Sequence, residues 1–547
     1  MRFHGHRNWL LLVAALAVLP YTSWAQNQSP PANSTTSFRI AGTVVSKTDG
    51  HPLSAARVAL ASVKSRQKQE VAVTADDGKF EFTGVPAGKY SLNGGHRGFI
   101  SAGYDQHDQY SSAIVTGAGV DTENLVLKLA PNALISGRVL DESGEPVRRA
   151  TVMLYSDDHQ GGVHQIHSSR GGQTDDLGAY ELPSLNPGTY YLSATAQPWY
   201  AVHPERDPSQ SEAKVDSALD VAYPITYYPD VTDSDSAAPI SIRGGEHLQL
   251  DLHLSPVPSL HVIVHVPASG SNQISVPQLE QSVFGDSISS LGHSTTRSLS
   301  DGTWEVSGIA AGRYNIRVTG PSSATEITGV DLSGTQELDA SAGEALCTVK
   351  VSVSRSDSMG SGVFFVGLHS KSRTIPGFTR PDSKNQFNFE NVPAGRYDIQ
   401  LGGPGRTYSI AQISAEGAEI SGHSVILSPG ASASLSLTPT LGNAEVQGIA
   451  KQGSKGFSGA MVVLVPKNPE GNRDVFRRDQ SDLDGTFVFH QVVPGSYNVV
   501  AIENGWDLDW SQPEIIAAYA KRGVPLQVTE KADQNLTLPN SVEVQPK

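Results

Sequence analysis

The chain has 547 residues, more than one ordinary hydrophobic core uses and enough for about three to five domains. Hydrophobic residues make up 38% and charged residues 17%, while 53 glycines and 33 prolines favour short β-strands and turns over long helices. The formal net charge of −15 argues against nucleic acid or anionic lipid as a partner, because an acidic surface repels phosphate.

The first predicted element is a secretory signal over residues 1–25. Arg2 and Arg7 give a positive start, an apolar run follows from residue 9 to residue 19, and Ser23 and Ala25 are small residues suited to a cleavage site. The run is too short to span a bilayer, so we expect cleavage before Gln26; a retained anchor is the alternative. No later segment is long and apolar enough to predict a transmembrane helix.

The stretch QNQSPPANSTTS, residues 26–37, is rich in polar residues and is predicted to be a flexible linker. The single cysteine, Cys347, lies in an apolar run and predicts a buried thiol. An exported chain that cannot form an internal disulfide is typical of a bacterial envelope. We therefore expect a periplasmic, surface or extracellular protein of a Gram-negative bacterium.

One motif then recurs five times with fixed spacing. Each copy has a Gly or Asn, an aromatic residue two positions later, a Gly eight residues after the aromatic, and a Tyr two residues after that Gly. The copies are Gly78-Phe80-Gly88-Tyr90, Gly178-Tyr180-Gly188-Tyr190, Gly302-Trp304-Gly312-Tyr314, Asn385-Phe387-Gly395-Tyr397 and Gly485-Phe487-Gly495-Tyr497. Identical spacing without an insertion indicates repeats of one structural unit.

Each position of the motif has a physical interpretation. The first Gly or Asn suits a turn with positive φ, and the alternation after it predicts a half-buried strand. A second tight turn is expected before the second Gly. The Tyr is expected to bury its ring at a strand corner and to donate its hydroxyl to nearby backbone.

The repeats predict five β-sandwich modules of about seven strands each, in a Greek-key arrangement: 38–130, 131–257 with insertions, 258–343, 344–441, and 442–547 with a C-terminal tail. The third and fourth modules are degenerate, since they lose the Gly-turn-Pro signature that follows the first strand of the others. One short helix is predicted over 513–521, where Pro stands at the first helical position and Gly follows the end.

The Gly-rich first strand, the Pro before the second strand and the block Asp-x-x-Gly-x-Phe-x-Phe…Pro-x-Gly-x-Tyr resemble the carboxypeptidase regulatory-like domain. That family has a transthyretin-like (prealbumin-like) β-sandwich and is similar in fold to starch-binding-like modules. The stretch 223–242 is similar to the tail of such domains in large exported bacterial proteins. The resemblance implies an all-β tandem array with binding or spacing roles rather than catalysis.

Catalytic motifs are missing from the sequence. None of the 17 histidines is followed three residues later by Glu, and neither a His-Glu-x-x-His helix nor a Gly-x-Ser-x-Gly elbow occurs. We therefore expect a protein that is not an enzyme and needs no cofactor, with an unrecognised hydrolase as the least favoured alternative.

Two groups of residues suggest a metal. The acidic turns of the repeat resemble calcium loops, but their carboxylates vary between copies, which favours ordinary turn formation. His159, His164 and His167 stand beside two aspartates in a stretch present only in the second module. Imidazole and carboxylate are ligands for zinc or another transition metal, although a solvated polar hairpin explains the stretch as well.

Aromatic residues in loops suggest a carbohydrate surface, because sugar rings stack on flat side chains. The candidates lie beyond the Gly-x-Tyr strand of the second and fifth modules: Trp199, Tyr200, Tyr227, Tyr228, Trp506 and Trp510. Packing within or between modules is the alternative, and Trp304 is expected to be buried as the core aromatic of its repeat. The expected partner is a polysaccharide or an envelope protein; the alternative function is a spacer or scaffold without a small-molecule ligand.

Overall fold

The structure is a computed structural model. It describes residues 37–65, 69–203, 217–266, 276–284, 287–290, 294–300, 302–319, 324–354, 365–370, 374–375, 381, 386–403, 406–530 and 534–547. The predicted signal, the predicted linker up to residue 36 and the turn residue Asn385 lie outside these ranges.

The protein is all-β, as its glycine-rich and proline-rich sequence predicts. Module 1 contains β1 (Phe38–Ser46), β2 (Arg57–Ser62), β3 (Gln69–Val73), β4 (Lys79–Val85), β5 (Gly88–Gly95), β6 (Ala102–Gly103), β7 (Ile114–Thr116) and β8 (Leu125–Leu129). Two sheets, in the orders β4-β1-β8 and β3-β2-β5-β6, enclose its core, and β7 also pairs with β5.

Module 2 has the largest insertions. Its strands are β9 (Ala133–Leu140), β10 (Thr151–Asp158), β11 (Gln165–Gln173), β12 (Ala179–Leu185), β13 (Gly188–Thr195), β14 (Val221–Ala222), β15 (Thr226–Tyr227), β16 (Ile240–Ile242), β17 (His247–Gln249), β18 (Leu252–His253) and β19 (Val257–Pro258). The main sheets have the orders β11-β10-β13-β15 and β12-β9-β17.

Module 3 keeps two facing sheets, β23-β24-β20-β27 and β22-β21-β25-β26-β28. Its strands are β20 (Leu260–His265), β21 (Pro277–Val283), β22 (Ser287–Ser290), β23 (Thr295–Ser300), β24 (Thr303–Ile309), β25 (Gly312–Thr319), β26 (Ala324–Leu332), β27 (Gln336–Asp339) and β28 (Glu344–Ala345). The last of these falls in the predicted range of module 4, yet it pairs with β26.

Module 4 is one continuous nine-stranded sheet that folds over its own core. Its strands are β29 (Cys347–Val353), β30 (Phe365–His369), β31 (Thr374–Ile375), β32 (Gln386–Val392), β33 (Gly395–Gly403), β34 (Arg406–Glu416), β35 (Glu419–Ser421), β36 (Ser424–Leu427) and β37 (Ser432–Leu441). Cys347 is fully buried here, as predicted.

Module 5 is also one nine-stranded sheet, and it contains the predicted helix, α1 (Pro513–Ala520). Its strands are β38 (Ala444–Gln452), β39 (Lys455–Gly456), β40 (Met461–Pro466), β41 (Arg477–Gln480), β42 (Thr486–Val492), β43 (Gly495–Ile502), β44 (Val524–Val528), β45 (Gln534–Thr537) and β46 (Val542–Gln545). Short 3₁₀ turns elsewhere cover Gln160–Gly162, Ser217–Leu219, Ser234–Ser236, Ala340–Ala342, Arg473–Val475 and Gly505–Asp507.

The sandwiches are not purely antiparallel. In every module the first strand pairs antiparallel with the aromatic strand of the repeat and parallel with a strand near the module's end, as β1 does with β8 and β38 with β45. The first strand and its parallel partner both run from the same end of the sandwich to the opposite end. The chain therefore enters each sandwich at one end and leaves it at the opposite end.

The predicted tyrosine corner is present in all five modules. Each Tyr donates its hydroxyl to the backbone carbonyl four residues earlier, at 2.8–3.1 Å, and the five bonds are Tyr90–Pro86, Tyr190–Asn186, Tyr314–Ala310, Tyr397–Pro393 and Tyr497–Val493. The bond fixes the turn before the strand that the Tyr begins.

The two glycines of the motif have different roles. The first has positive φ in each described copy, between 68° and 84°, as predicted. The second was expected in a tight turn, but only Gly395 has positive φ there, at 145°. A Cβ at this second position would lie 3.1–3.9 Å from the ring of the corner Tyr, so the glycine leaves room for that ring to lie against the backbone.

A further repeated feature is invisible in the sequence. The residue four positions after the aromatic has φ between 54° and 76° in every module: Gly84, Ser184, Gly308, Asn391 and Gln491. The strand register shifts at the same place in each module, so this residue marks a β-bulge. Four residue types occupy the position, and for that reason no sequence pattern reveals it.

Replacing Gly84 with Ala isolates the cost of this bulge, because its Cβ would meet no atom within 4 Å while its φ is 73°. We expect Gly84→Ala to destabilise β4 by about 1 kcal/mol, since an L-residue pays to enter the left-handed region. Faster hydrogen exchange in the peptide that contains β4 would show it. Gly334→Ala is the matched control, with open space and an ordinary φ; equal effects of the two changes would contradict the interpretation.

Candidate functional site

The five modules do not form an extended string, because module 5 contacts modules 1, 2 and 4. Backbone hydrogen bonds join Leu483 N to Ala113 O at 3.1 Å, Ser511 N to Gly162 O at 3.1 Å, and His423 N to Gly471 O at 2.8 Å. Residues far apart in sequence are thereby held together.

Module 1 covers the edge strand β41 of module 5. Gln480 on that strand donates to Asp105 O at 2.6 Å and to Ser112 Oγ at 2.9 Å. Beside it, Lys89 of the first repeat forms a 2.6 Å salt bridge with Asp482 in the opening turn of the fifth repeat. Burial raises the pKa of Asp482, and Lys89 opposes that shift. The acidic turn therefore serves an interface between modules.

The histidine-rich stretch of module 2 forms the contact with module 5. It is a hairpin between β10 and β11, and its tip, Gly162, lies against the indole of Trp510. His164 N donates to Asp509 Oδ1 at 2.5 Å, and Ser511 Oγ donates to Gly162 O at 3.0 Å. The inserted β10–β11 hairpin of module 2 thus docks onto the loop of module 5 that contains Trp510.

The metal site considered for His159, His164 and His167 is not formed. Their nearest carboxylates are three different ones: His164 lies 2.5 Å from Asp157, His159 lies 3.6 Å from Asp509, and His167 lies 3.7 Å from Asp158. Across the described part of the chain, no three His, Cys, Asp or Glu side chains are placed to hold one ion. The alternative, a hydrogen-bonded polar hairpin, describes this stretch, although it docks on module 5 rather than standing free in solvent.

A cleft of about 1040 Å³ opens where modules 1, 2 and 5 meet. Module 1 contributes His107–Tyr110, module 2 contributes Asp157–His159 with Gly161, and module 5 contributes Phe476–Arg478 together with Trp506 and Trp510. Ligand sites in proteins commonly have volumes of roughly 300–1,000 Å³. The cleft is therefore large enough for a ligand of several rings.

Aromatic rings and Arg478 form a layered wall on one side of the cleft. His107 stacks on Trp506 with ring centroids 4.8 Å apart and an interplanar angle of 5°. The guanidinium carbon of Arg478 lies 4.9 Å from the ring centre of Tyr110, 5.0 Å from Trp510 and 5.4 Å from Trp506. Both indoles are half-buried, so they combine packing between modules with a partly open rim.

Trp199 and Tyr200 lie on a separate surface of module 2. Trp199 is 87% exposed and meets Tyr200 edge-on, with ring centroids 5.8 Å apart. The hydroxyls of Tyr200 and Tyr223 both donate to Glu142. Burial, with help from Glu142, raises the pKa of Tyr200 to about 12. Neither residue of this pair lines the cleft that contains Trp506 and Trp510.

The other two aromatic candidates are packing residues. Tyr227 is 3% exposed and contacts Phe284 of module 3, which also packs on Tyr155 and Tyr191. Tyr228 is half-buried against the core of module 2. The enclosed ring of Tyr227 cannot stack on a sugar, so this residue belongs to the scaffold. Trp304, in contrast, is half-buried rather than fully buried in module 3.

Sequence reasoning missed the two arginines of the cleft and the module 1 loop that faces them. Arg477 and Arg478 are adjacent charges in a strand otherwise expected to alternate, and this departure was visible in the sequence. The loop 104–112 lies between the two short strands that pair with β5, as the loop between β15 and β16 does in module 2. The contact between Arg478 and the module 1 loop could not be predicted, because about 370 residues separate them in the sequence.

The matches to known families agree with this fold. Residues 39–127 and 134–213 match the carboxypeptidase regulatory-like domain. Modules 1 and 2 are carboxypeptidase regulatory-like domains. Residues 445–526 of module 5 match the second beta sandwich domain of BOS complex subunit NOMO1-like proteins. A comparison with curated proteins found no match.

Among solved structures, a minor pilin of Streptococcus agalactiae is 14% identical, over 40% of this chain and 96% of the pilin, with a TM-score of 0.20. The Bacillus anthracis TIE protein is 10% identical over 74% and 75% of the two chains, with a TM-score of 0.18. A streptococcal ancillary pilin is 13% identical over 56% and 99%, with a TM-score of 0.17. Scores this low carry no argument about function. In the described residues, no helix has the length and apolarity to cross a bilayer.

The docking of the second regulatory-like domain on module 5 can be tested at Gly162. A Cβ there would lie 2.4 Å from Trp510, so we expect Gly162→Ala to push the hairpin off module 5 and to speed hydrogen exchange in the peptide 505–512. Gly161→Ala is the matched control, since that residue also has positive φ but no atom within 4 Å of its Cβ. Equal exchange in the two variants would contradict the proposed contact.

The stability of module 5 should depend on the protonation of Asp479. Burial raises the pKa of this carboxyl from 3.8 to about 6, while the N–H of Val488 donates to it at 2.8 Å. The folded state therefore binds the proton more tightly than the unfolded chain does. Its contribution is complete below about pH 4 and is lost as the pH rises through 6, amounting to about 3 kcal/mol.

Asp479→Asn should remove this dependence and make the protein more stable than wild type at pH 7. Urea unfolding followed by tryptophan fluorescence at pH 4.5 and pH 7 measures the difference. Asp176→Asn, at an exposed turn, is the control. An identical shift of the urea midpoint between the two pH values in wild type and Asp479→Asn would show that the proton is bound elsewhere.

Proposed function

We propose that this protein is an exported, non-catalytic binding protein of the bacterial cell envelope, and that it holds carbohydrate in the cleft between modules 1, 2 and 5. The export signal predicted over residues 1–25 and the absence of known catalytic motifs from the sequence support the setting. The two regulatory-like domains support an accessory binding role.

One observation carries the proposal: parts that differ between the repeats converge on a single cleft. The loop of module 1, the inserted hairpin of module 2 and the Trp-containing loop of module 5 all line it. The repeated parts, in contrast, make corners and bulges that hold each sandwich together. Function in a repeated fold is expected where the copies differ.

The composition of the cleft suits a sugar. Half-exposed rims of Trp506, Trp510 and Tyr110 offer apolar surface, while arginine, histidine and aspartate side chains offer hydrogen-bonding groups beside it. Carbohydrates present both an apolar ring face and many hydroxyls. Sites that combine aromatic faces with a few fixed polar groups bind such ligands.

The exposed Trp199 favours a second candidate function, contact with an envelope protein. Trp residues contribute strongly at protein interfaces, and an 87% exposed indole is unusual on a free surface. This role is compatible with glycan binding at the cleft, since the two surfaces are separate. The closed arrangement of the modules makes an extended spacer the less favoured alternative.

A glycan array probed with the purified mature protein tests the cleft. We expect binding that Trp506→Ala weakens about tenfold or more, which corresponds to about 1.4 kcal/mol or more, because the rim loses its central ring. Leu177→Ala, an exposed apolar residue of module 2, is the control and should bind like wild type. Absence of binding to every glycan on the array would overturn the proposal. Loss of binding on Trp199→Ala, with Trp506→Ala unaffected, would move the site to the other surface.

A further inference from the structure

Several hydrogen-bond donors on the cleft wall have no acceptor. They are Arg477 Nη2, Arg478 Nε, Arg478 Nη1 and Trp510 Nε1, and each is covered by protein atoms without a partner among the described residues. An unsatisfied buried donor costs roughly 1–3 kcal/mol. Four of them side by side are unusual in a folded protein, where buried polar groups are nearly always paired.

Arg478 is almost fully enclosed. Its side chain is only 9% exposed, and it forms one salt bridge, from Nη2 to Asp108 at 2.9 Å. The rings of Tyr110, Trp506 and Trp510 hold its guanidinium in place. A guanidinium fixed in this way presents a preorganised fork of N–H groups.

The charge of Arg477 is only partly compensated, by the carboxylate of Asp474, which forms no salt bridge with it. Its Nη1 donates to the backbone carbonyls of Asp474 at 2.8 Å and Phe476 at 2.6 Å, and it forms no salt bridge with a described carboxylate. Burial lowers the pKa of this guanidinium, which shows that its charge lies in a poorly solvated place. A charge in such surroundings is stabilised by an opposite charge brought next to it.

The carboxylates around the cleft are already engaged. Asp108 binds Arg478, Asp157 lies 2.5 Å from His164, and Asp507 binds Lys547. Four aspartates and two arginines line the cleft, and its carboxylates already have basic partners, whereas its unpaired groups are hydrogen-bond donors. The carboxylates that would bind a cationic ligand already have partners. The unpaired N–H groups, in contrast, can donate to an anionic ligand.

We infer that the ligand of the cleft is an acidic carbohydrate whose carboxylate is held by Arg477 and Arg478, an inference that rests on the function proposed above. Two carboxylate oxygens accept two parallel N–H groups of one guanidinium, whereas a hydroxyl has a single oxygen that cannot match this fork. Arg478 and Arg477 both line the cleft, and the 9% of the Arg478 side chain that stays exposed is where the carboxylate meets the guanidinium. Satisfying the donors recovers the cost of leaving them unpaired.

A pair of oligosaccharides that differ only in charge tests the inference. Titration calorimetry of the purified mature protein with tetragalacturonate and with its methyl ester should show at least tenfold tighter binding of the acid. Binding of the acid should weaken with added salt, and binding of the ester should not, because only the former depends on charge.

Two variants locate the carboxylate. Arg478→Lys keeps the charge but loses the fork, and it should weaken tetragalacturonate binding about tenfold while leaving the ester unchanged. Trp510→Phe keeps a ring but loses the indole N–H, and should weaken the acid more than the ester. Arg317→Lys in module 3, another arginine with an unpartnered Nε, is the matched control and should bind like wild type.

The outcomes separate this inference from the function on which it rests. Equal affinity for acid and ester, or array binding confined to neutral glycans, overturns the inference and leaves carbohydrate binding standing. No binding of either oligosaccharide overturns the inference, and no binding anywhere on the array overturns the proposed function as well. If Arg478→Lys disturbs the fold, the acid-to-ester ratio of wild type still decides the matter.

Discussion

The contact between the last module and the first is the constraint on which the rest of the structure depends. Ser112 donates to Ser481 O at 2.9 Å, and Leu483 packs against the hydrophobic core of module 1. Beside these contacts, the side chains of Arg478 and Gln480 on the edge strand β41 bond to module 1. Without this contact the module 1 wall of the cleft would be missing, although modules 2 and 5 would still meet at Gly162.

The repeat gives every module the same internal device, and this leaves the loops free to vary. A corner Tyr, a glycine that admits its ring and a bulge with positive φ hold the aromatic strand in each sandwich. None of these residues faces the cleft except Gly188, whose turn forms part of the rim. The device therefore stabilises the sandwich without restricting what the surface binds. This is the usual division in folds whose scaffold is rigid and whose loops carry function.

Features that depend on neighbours along the chain were predictable from the sequence. The all-β class, the turn glycines, the tyrosine corner, the buried Cys347 and the helix beginning at Pro513 all follow from local residue chemistry, and the structure confirms them. The bulge could not be predicted because Ser184 and Gln491 adopt a positive φ there, a conformation that is normally predicted only for glycine. Their strain is offset by the pairing of the strand on either side.

The site itself was predictable only in fragments. Trp506, Trp510 and the histidine hairpin were each recognised as unusual, but under two different hypotheses, a sugar surface and a metal site. The structure brings them to one cleft because Gly162 packs on Trp510. Contacts between modules obey no periodicity, since they depend on shape and charge over the whole surface, and one sequence does not reveal which surfaces meet.

The way each sandwich is threaded has a consequence for assembly. Each core is built almost entirely from its own module's residues, Leu483 against module 1 being an exception, so early modules can fold before late ones are made. The cleft is different, since it includes loops from both the beginning and the end of the array. It comes into existence only when the final sandwich has folded and found the first. A chain that ends before module 5 would therefore contain folded early modules without the cleft.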